Sequence, residues 1–267
     1  MTSVAHTLGV VRYSAANAWA DFRATYTWWT WGFGWLGRML AQVTFCAFIG
    51  VLLDDPARIR YLVIGNALMV CVVETMSVVA SSSWERAEGT LPLLSAAPAR
   101  MGWVFLGRSL QWPISGSLTA LVSLFVLSPF FGVHWTVAQV PALAGLVLLT
   151  AVSSYAVGLF LSPFVLTAAG ARNIVSNSAY LLMMAICGVV VPVGYWPGWV
   201  RAVAQALPLT HTLAAVRAVD AGAPATTVLG QAGLGVLCGA GWLVAALVAF
   251  AVLEERARRN DSFDFTV

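Results

Sequence analysis

The chain has 267 residues, 60% of them hydrophobic and only 9% charged, with a formal net charge of +3 and a mean hydropathy of +0.84. A soluble domain is nearer half apolar and a quarter charged, so a single water-surrounded core cannot hide this much apolar surface and the bilayer must be the solvent for much of it. All 14 basic residues are arginine, which excludes a G-x-x-x-x-G-K-[ST] phosphate loop, because that loop needs a lysine to reach the β- and γ-phosphates.

Residues 1–32 interleave Arg12, Asp21 and Arg23 with Val10, Val11, Trp19, Phe22, Tyr26, Trp28, Trp29 and Trp31. Such a mixture suits an amphipathic helix lying among lipid headgroups; a mobile tail is the alternative. The aromatics at 26–35 suit the interfacial belt before a first span. A basic start, a clean apolar stretch and a small-residue cleavage site are all missing from the first 30 residues, so no cleavable signal peptide is expected.

Six apolar runs follow, at roughly 33–53, 61–82, 103–130, 138–166, 173–193 and 228–253. About 20 apolar residues cross the hydrocarbon of a bilayer. Backbone groups in lipid must be satisfied internally, so the runs are predicted to be helices. The expected fold is an all-α membrane protein of six transmembrane helices in a single domain, 1–267. The second run carries Glu74, a carboxylate at membrane depth. Such groups are costly in lipid and usually face the bundle interior, as a substrate or proton contact or as a structural, hydrogen-bonded acid. Pro113 and Gly116 are expected to kink the third run.

Two stretches interrupt this pattern. The first, 84–98, gathers Glu85, Arg86 and Glu88 and then turns through Gly89-Thr90-Leu91-Pro92 to Pro98. The second, 194–220, is too broken by Pro and Gly for a span and too apolar for a free loop. Two short helices, at about 197–206 and 209–220 and meeting at Leu207-Pro208, fit it as a re-entrant or interface-lying hairpin. Orientation follows from the arginines. With the N-terminus inside, Arg12, Arg23, Arg38, Arg86, Arg100, Arg108, Arg172, Arg256, Arg258 and Arg259 fall on the inner side, against Arg58, Arg60, Arg201 and Arg217 outside. Both termini and 84–98 are then cytoplasmic, and 194–220 is extracellular.

No catalytic constellation stands out. His6, His134 and His211 fall in different predicted compartments, which argues against a histidine metal centre. The four cysteines lie inside apolar runs without ligand spacing. Serine runs lack a positioned base, and no basic patch suits nucleic acid.

The two irregular stretches carry a resemblance. Glu85-Arg86-Ala87-Glu88-Gly89-Thr90-Leu91, with Leu93-Leu94 and Pro98, resembles the ER-x-x-GTL-x-x-LL…P segment of ABC type-2 transporter permeases. Gly198-Trp199, Leu207-Pro208-Leu209-Thr210-His211 and Ala215-Val216-Arg217 resemble that family's P-x-W…LPLT-x…-R segment before the last span. Pro92 departs from the pattern, which more often has a polar or acidic residue there. The resemblance covers nearly the whole chain. It implies that 84–98 is a cytoplasmic coupling helix docking into an ATPase, through Glu85, Arg86, Glu88, Gly89, Thr90 and Leu91. It implies that 194–220 is an exit-side hairpin, with Pro197, Trp199, Leu207, Pro208, Thr210, His211 and Arg217 as its marked residues. Two ATPase subunits, which bind ATP and Mg²⁺, and a second permease, identical or related, are the implied partners in a bacterial cytoplasmic membrane. The chain itself is expected to bind no cofactor or metal and to be no enzyme. Export of a drug-, antibiotic- or lipid-like amphiphile is the implied function. A proton-coupled carrier or channel using Glu74, a glycan-exporting permease and a structural membrane scaffold are the other readings.

Overall fold

A computed structural model describes residues 4–82, 100–167, 170 and 172–259. Every regular element among them is helical. The segment read as the coupling helix, 84–98, with Glu85, Arg86, Glu88, Gly89, Thr90 and Leu91, lies outside the described residues.

Helix α1 spans Val4–Thr25, shorter than the predicted 1–32. Thr27 and Thr30 then bond reciprocally, Thr27 N–H to Thr30 Oγ1 at 2.9 Å and Thr30 N–H to Thr27 Oγ1 at 3.3 Å. That pair of side-chain caps satisfies donors a helix start leaves free, and α2, Thr30–Leu52, begins there. Its first turns, Thr30–Leu36, are π-helical. Asp55 caps α3, Pro56–Ser82, accepting from Ala57 N at 3.0 Å and Arg58 N at 3.3 Å, with Pro56 in the first turn. Pro suits that position because its missing N–H would have no helical partner there.

Helix α4, Met101–Phe131, is interrupted by a turn at Ser109–Leu110. Pro113 explains the position. It has no N–H to give the Ser109 carbonyl four residues back, and its ring crowds that carbonyl. Trp112 N donates to Ser109 O instead, at 3.1 Å. The kink expected at Pro113 thus falls four residues earlier. Helix α5, Val140–Thr167, continues through Pro163. Helix α6, Arg172–Ile186, is shorter than the predicted run to 193. At 1.5 Å per residue its 15 residues reach about 22 Å, less than the roughly 30 Å of a bilayer core. It stops where Gly188 turns left-handed, φ +89. Two short helices follow, α7 Gly198–Gln205 and α8 Pro208–Asp220, and then α9, Ala225–Arg259. Five helices, α2, α3, α4, α5 and α9, are long and apolar enough to cross a membrane, and α6 supplies a shorter apolar helix, Asn173–Ile186.

The bundle is built around α3, whose residues Leu62 to Thr75 are all buried. Helices α2, α4, α5 and α8 pack on it, and α9 packs on α5 and α8. Close approach is set by small residues: a Cβ on Gly116 would stand 2.9 Å from Cys71 O of α3, and one on Gly158 would stand 2.5 Å from Val78 Cγ1. Helix α1 lies against the first turns of α4, where Gly107 faces Val11 O and Arg108 pairs with Asp21 at 3.3 Å.

Candidate functional site

Three places in the described residues carry the polar groups that an apolar bundle would not otherwise keep. The first is Glu74. It is 0% exposed, on the face of α3 toward α2 and α4. Ser115, Thr119, Trp35 and Arg38 are the groups facing it, and Tyr26 also lies within its electrostatic reach. None of these reaches hydrogen-bond geometry with it. Both Glu74 carboxyl oxygens, Trp35 Nε1 and Thr119 Oγ1 are buried without a hydrogen-bond partner. A buried polar atom left so costs on the order of 1–3 kcal/mol; here the two donors and the carboxyl face one another and form one polar cluster inside the apolar bundle. Burial, with the nearby Glu74 carboxyl adding to it, pushes the Tyr26 hydroxyl above its usual range.

The second place is the α7–α8 hairpin. Its two helices and their joint at Leu207-Pro208 lie where the sequence puts them. The last carbonyls of a helix have no partner within it; here side chains supply one. Thr210 Oγ1 donates to Ala204 O at 2.5 Å, the His211 Nε2–H to Gln205 O at 2.9 Å, and Trp242 Nε1 to Ala206 O at 2.8 Å. Thr210 and His211 are 6% and 5% exposed. These motif residues therefore tie the hairpin to itself, while Trp242 ties it to α9. The His211 Nδ1 atom lies 3.3 Å from the Gln231 side chain of α9. Leu207 and Pro208 are buried, Pro197 precedes α7, and Trp199 projects outward, 74% exposed.

The third place joins that hairpin to α3. The Arg217 guanidinium stacks 3.5 Å from the centre of the Tyr61 ring and donates to Tyr61 O at 3.4 Å. The Tyr61 hydroxyl donates to Gly188 O at 2.6 Å, satisfying a carbonyl that the break after α6 sets free. Beside them Arg60 grips Asp220, Nε to Oδ2 at 2.7 Å and Nη2 to Oδ1 at 2.5 Å. Arg217, a sequence candidate, thus sits in a cluster whose other members, Arg60, Tyr61, Gly188 and Asp220, were not singled out as a site. The signal for them was faint: opposite charges on Arg60 and Asp220, 160 residues apart. Trp35, Ser115 and Thr119 around Glu74 had no sequence signal, since serine, threonine and tryptophan recur throughout the spans.

The profile of the ABC-2 type transporter family matches residues 16–220. The chain belongs to that family. The match ends at Asp220, the last residue of α8, and so takes in both the Glu74 surroundings and the hairpin. No curated protein sequence matches the chain. An ABC-2 domain is the permease component of an ABC transporter, with ATP hydrolysis generally on a separate subunit. The permease is accordingly a multi-pass membrane protein. No group of three or more His, Cys, Asp or Glu side chains among the described residues could hold a metal.

Proposed function

We propose that this permease exports an amphiphilic or hydrophobic substrate, of drug, antibiotic or lipid type, across a bacterial cytoplasmic membrane. It works with a second permease subunit, the same chain or a related one. Residues 84–98 form its coupling segment, through Glu85, Arg86, Glu88, Gly89, Thr90 and Leu91, and two partner ATPases supply the driving force. Both termini and this segment face the cytoplasm; the α7–α8 hairpin lies on the exit side.

The observation that supports this is the course of α3. One end of α3 carries Arg60 and Tyr61, which hold α8. The other end, Ser82, leads directly into 84–98. The 27-residue span turns at Met76, between the helical stretches Pro56–Thr75 and Ser77–Ser82, so a displacement of 84–98 would enter the bundle beside Glu74 and pass to the hairpin through the buried stretch Pro56–Thr75. Shear between packed helices of this kind is a common switching motion. Glu74 lies on the same helix, facing α2 and α4, where relative movement would open or close its surroundings.

The test is transport into inverted vesicles containing the permease and its ATPase. Glu85→Ala with Arg86→Ala should insert normally and lose ATP-driven transport, with ATP hydrolysis no longer stimulated by substrate. Wild-type transport and stimulation in the double variant, at equal expression, would overturn the coupling assignment. The buried carboxyl of Glu74 at membrane depth also favours a second reading, a proton-coupled carrier. Vesicles with a pH gradient and no ATPase separate the two: substrate uptake there, abolished by Glu74→Gln, would support the carrier and count against the pump.

A further inference from the structure

A crevice in the described residues lies away from the hairpin. It has a volume of about 590 Å³ and opens between α1, the start of α2 and the middle of α4. Trp19, Phe22, Tyr26, Trp28 and Trp31 give it aromatic walls, and Ile114 and Leu118 an aliphatic one. The charged side chain at its rim, Arg23, stacks over the Trp19 ring at 5.4 Å.

The polar lining of this crevice holds an unpartnered acceptor on α4, whereas the donors of Arg23 and Thr27 lie on α1 and at the joint before α2. Gln111 lines it, and the Gln111 Oε1 atom is buried with no partner. Ser115 also lines it. Its Oγ already accepts from Trp31 Nε1 at 3.0 Å. Directly behind Ser115 and Tyr26, both lining residues, lies the fully buried Glu74 with two unpartnered oxygens. Trp35 Nε1 and Thr119 Oγ1 face Glu74 and are likewise without a hydrogen-bond partner. Unpaired buried acceptors select for a molecule that brings donors, because a ligand without them leaves the penalty in place. Aromatic faces attract an ammonium group as well.

We infer that this crevice is a binding site for an amphiphile whose head group donates hydrogen bonds, with its apolar body between the aromatic walls and its head toward Gln111, Ser115 and Glu74. The site deepens the export reading, because it supplies the place where cargo leaves the lipid and joins the permease, and it rests on that reading for its role. The binding itself does not depend on transport.

The probes are three amphiphiles of equal chain length. Dodecylammonium carries three N–H donors, dodecyltrimethylammonium carries the charge without donors, and dodecanoate brings only acceptors. Each is measured by equilibrium dialysis against the full-length permease in phosphatidylcholine nanodiscs with no ATPase present, after subtraction of partitioning into empty nanodiscs. Dodecylammonium should bind saturably and about tenfold more tightly than dodecyltrimethylammonium, the worth of a charge-assisted hydrogen bond, and dodecanoate, which among the lining residues only Arg23 at the rim can pair, should bind more weakly than dodecylammonium. Ile114→Trp, which fills the crevice from a position exposed in the free permease, should abolish saturable dodecylammonium binding. Gln111→Leu should weaken it about tenfold, and Phe130→Ala, at the far end of α4, should leave it unchanged. Equal affinity for the two cations, tighter binding of dodecanoate, or unchanged binding in both crevice variants would overturn the site. Saturable binding of the expected pattern alongside absent ATP-driven transport would count against export and leave the site standing.

Discussion

Gly65 lies on α3 where the helix passes under the break that ends α6. A Cβ there would overlap the carbonyl oxygen of Val189 and crowd the Arg217 guanidinium. Backbone cannot retreat as a flexible side chain does, so Gly65→Ala is an overpacking change, costing about 1–3 kcal/mol. Gly145, in the middle of α5, has nothing within 4 Å of its Cβ position, and alanine suits a helix interior better than glycine. Thermal unfolding in detergent, followed by tryptophan fluorescence, should show a lowered midpoint for Gly65→Ala and an unchanged or raised one for Gly145→Ala. At this scale the sequence was informative about chemistry and silent about company. Glu74 was recognisable as an acid at membrane depth, because charge inside an apolar run is rare. Trp35, Ser115 and Thr119, which face it, belong to three residue types common in every span.

At the scale of elements, the hairpin and α3 are joined by contacts of two kinds. The Thr210, His211 and Trp242 bonds close the carbonyl end of α7, and the Arg60–Asp220 and Arg217–Tyr61 contacts hold α8 to α3. The Asp220 side chain is largely buried and Arg60 only half so, so solvent screens part of their attraction, and a worth of about 1 kcal/mol is the appropriate scale. Arg60→Glu should therefore raise amide hydrogen exchange in α8 several-fold without unfolding the bundle. Adding Asp220→Arg should restore at least half of the protection. Unchanged exchange in the single variant would mean that Arg217 and Tyr61 hold α8 without help. The two hairpin helices and their joint were legible, because Pro208 starts a helix and the Pro- and Gly-rich run before α7 cannot continue one. The early end of α6 was not. Residues 187–193 remain apolar, and the Tyr61 hydroxyl that takes the Gly188 carbonyl at the left-handed turn comes from another helix.

For the whole molecule, the exposure of the helices is unequal. Helix α3 is almost wholly enclosed, whereas α2 and α9 are mostly exposed. The outward side of α2 carries Phe45, Phe48, Ile49 and Leu52, a face for lipid or, on the proposed reading, for a second permease. If the second subunit is the same chain, light scattering of the purified protein, corrected for detergent, should give about twice its 28.4 kDa. A protein mass of one chain would direct attention to a different permease as the partner.

The sequence by itself determined the solvent of this protein, its helical class and the position of the hairpin. Those follow from composition, from the need to satisfy backbone groups in lipid and from local proline and glycine geometry, all of which act within a few residues. It also carried the family resemblance, in two motifs that the match over 16–220 bears out at the level of the family. Only the tertiary structure decided which groups surround Glu74, which residues hold Arg217, and where the aromatic crevice lies. Each of those depends on helices meeting across tens to more than a hundred residues of chain. In an all-apolar span, hydrophobic periodicity does not tell which face meets another helix and which meets lipid, so the pairing becomes visible only once the helices are packed.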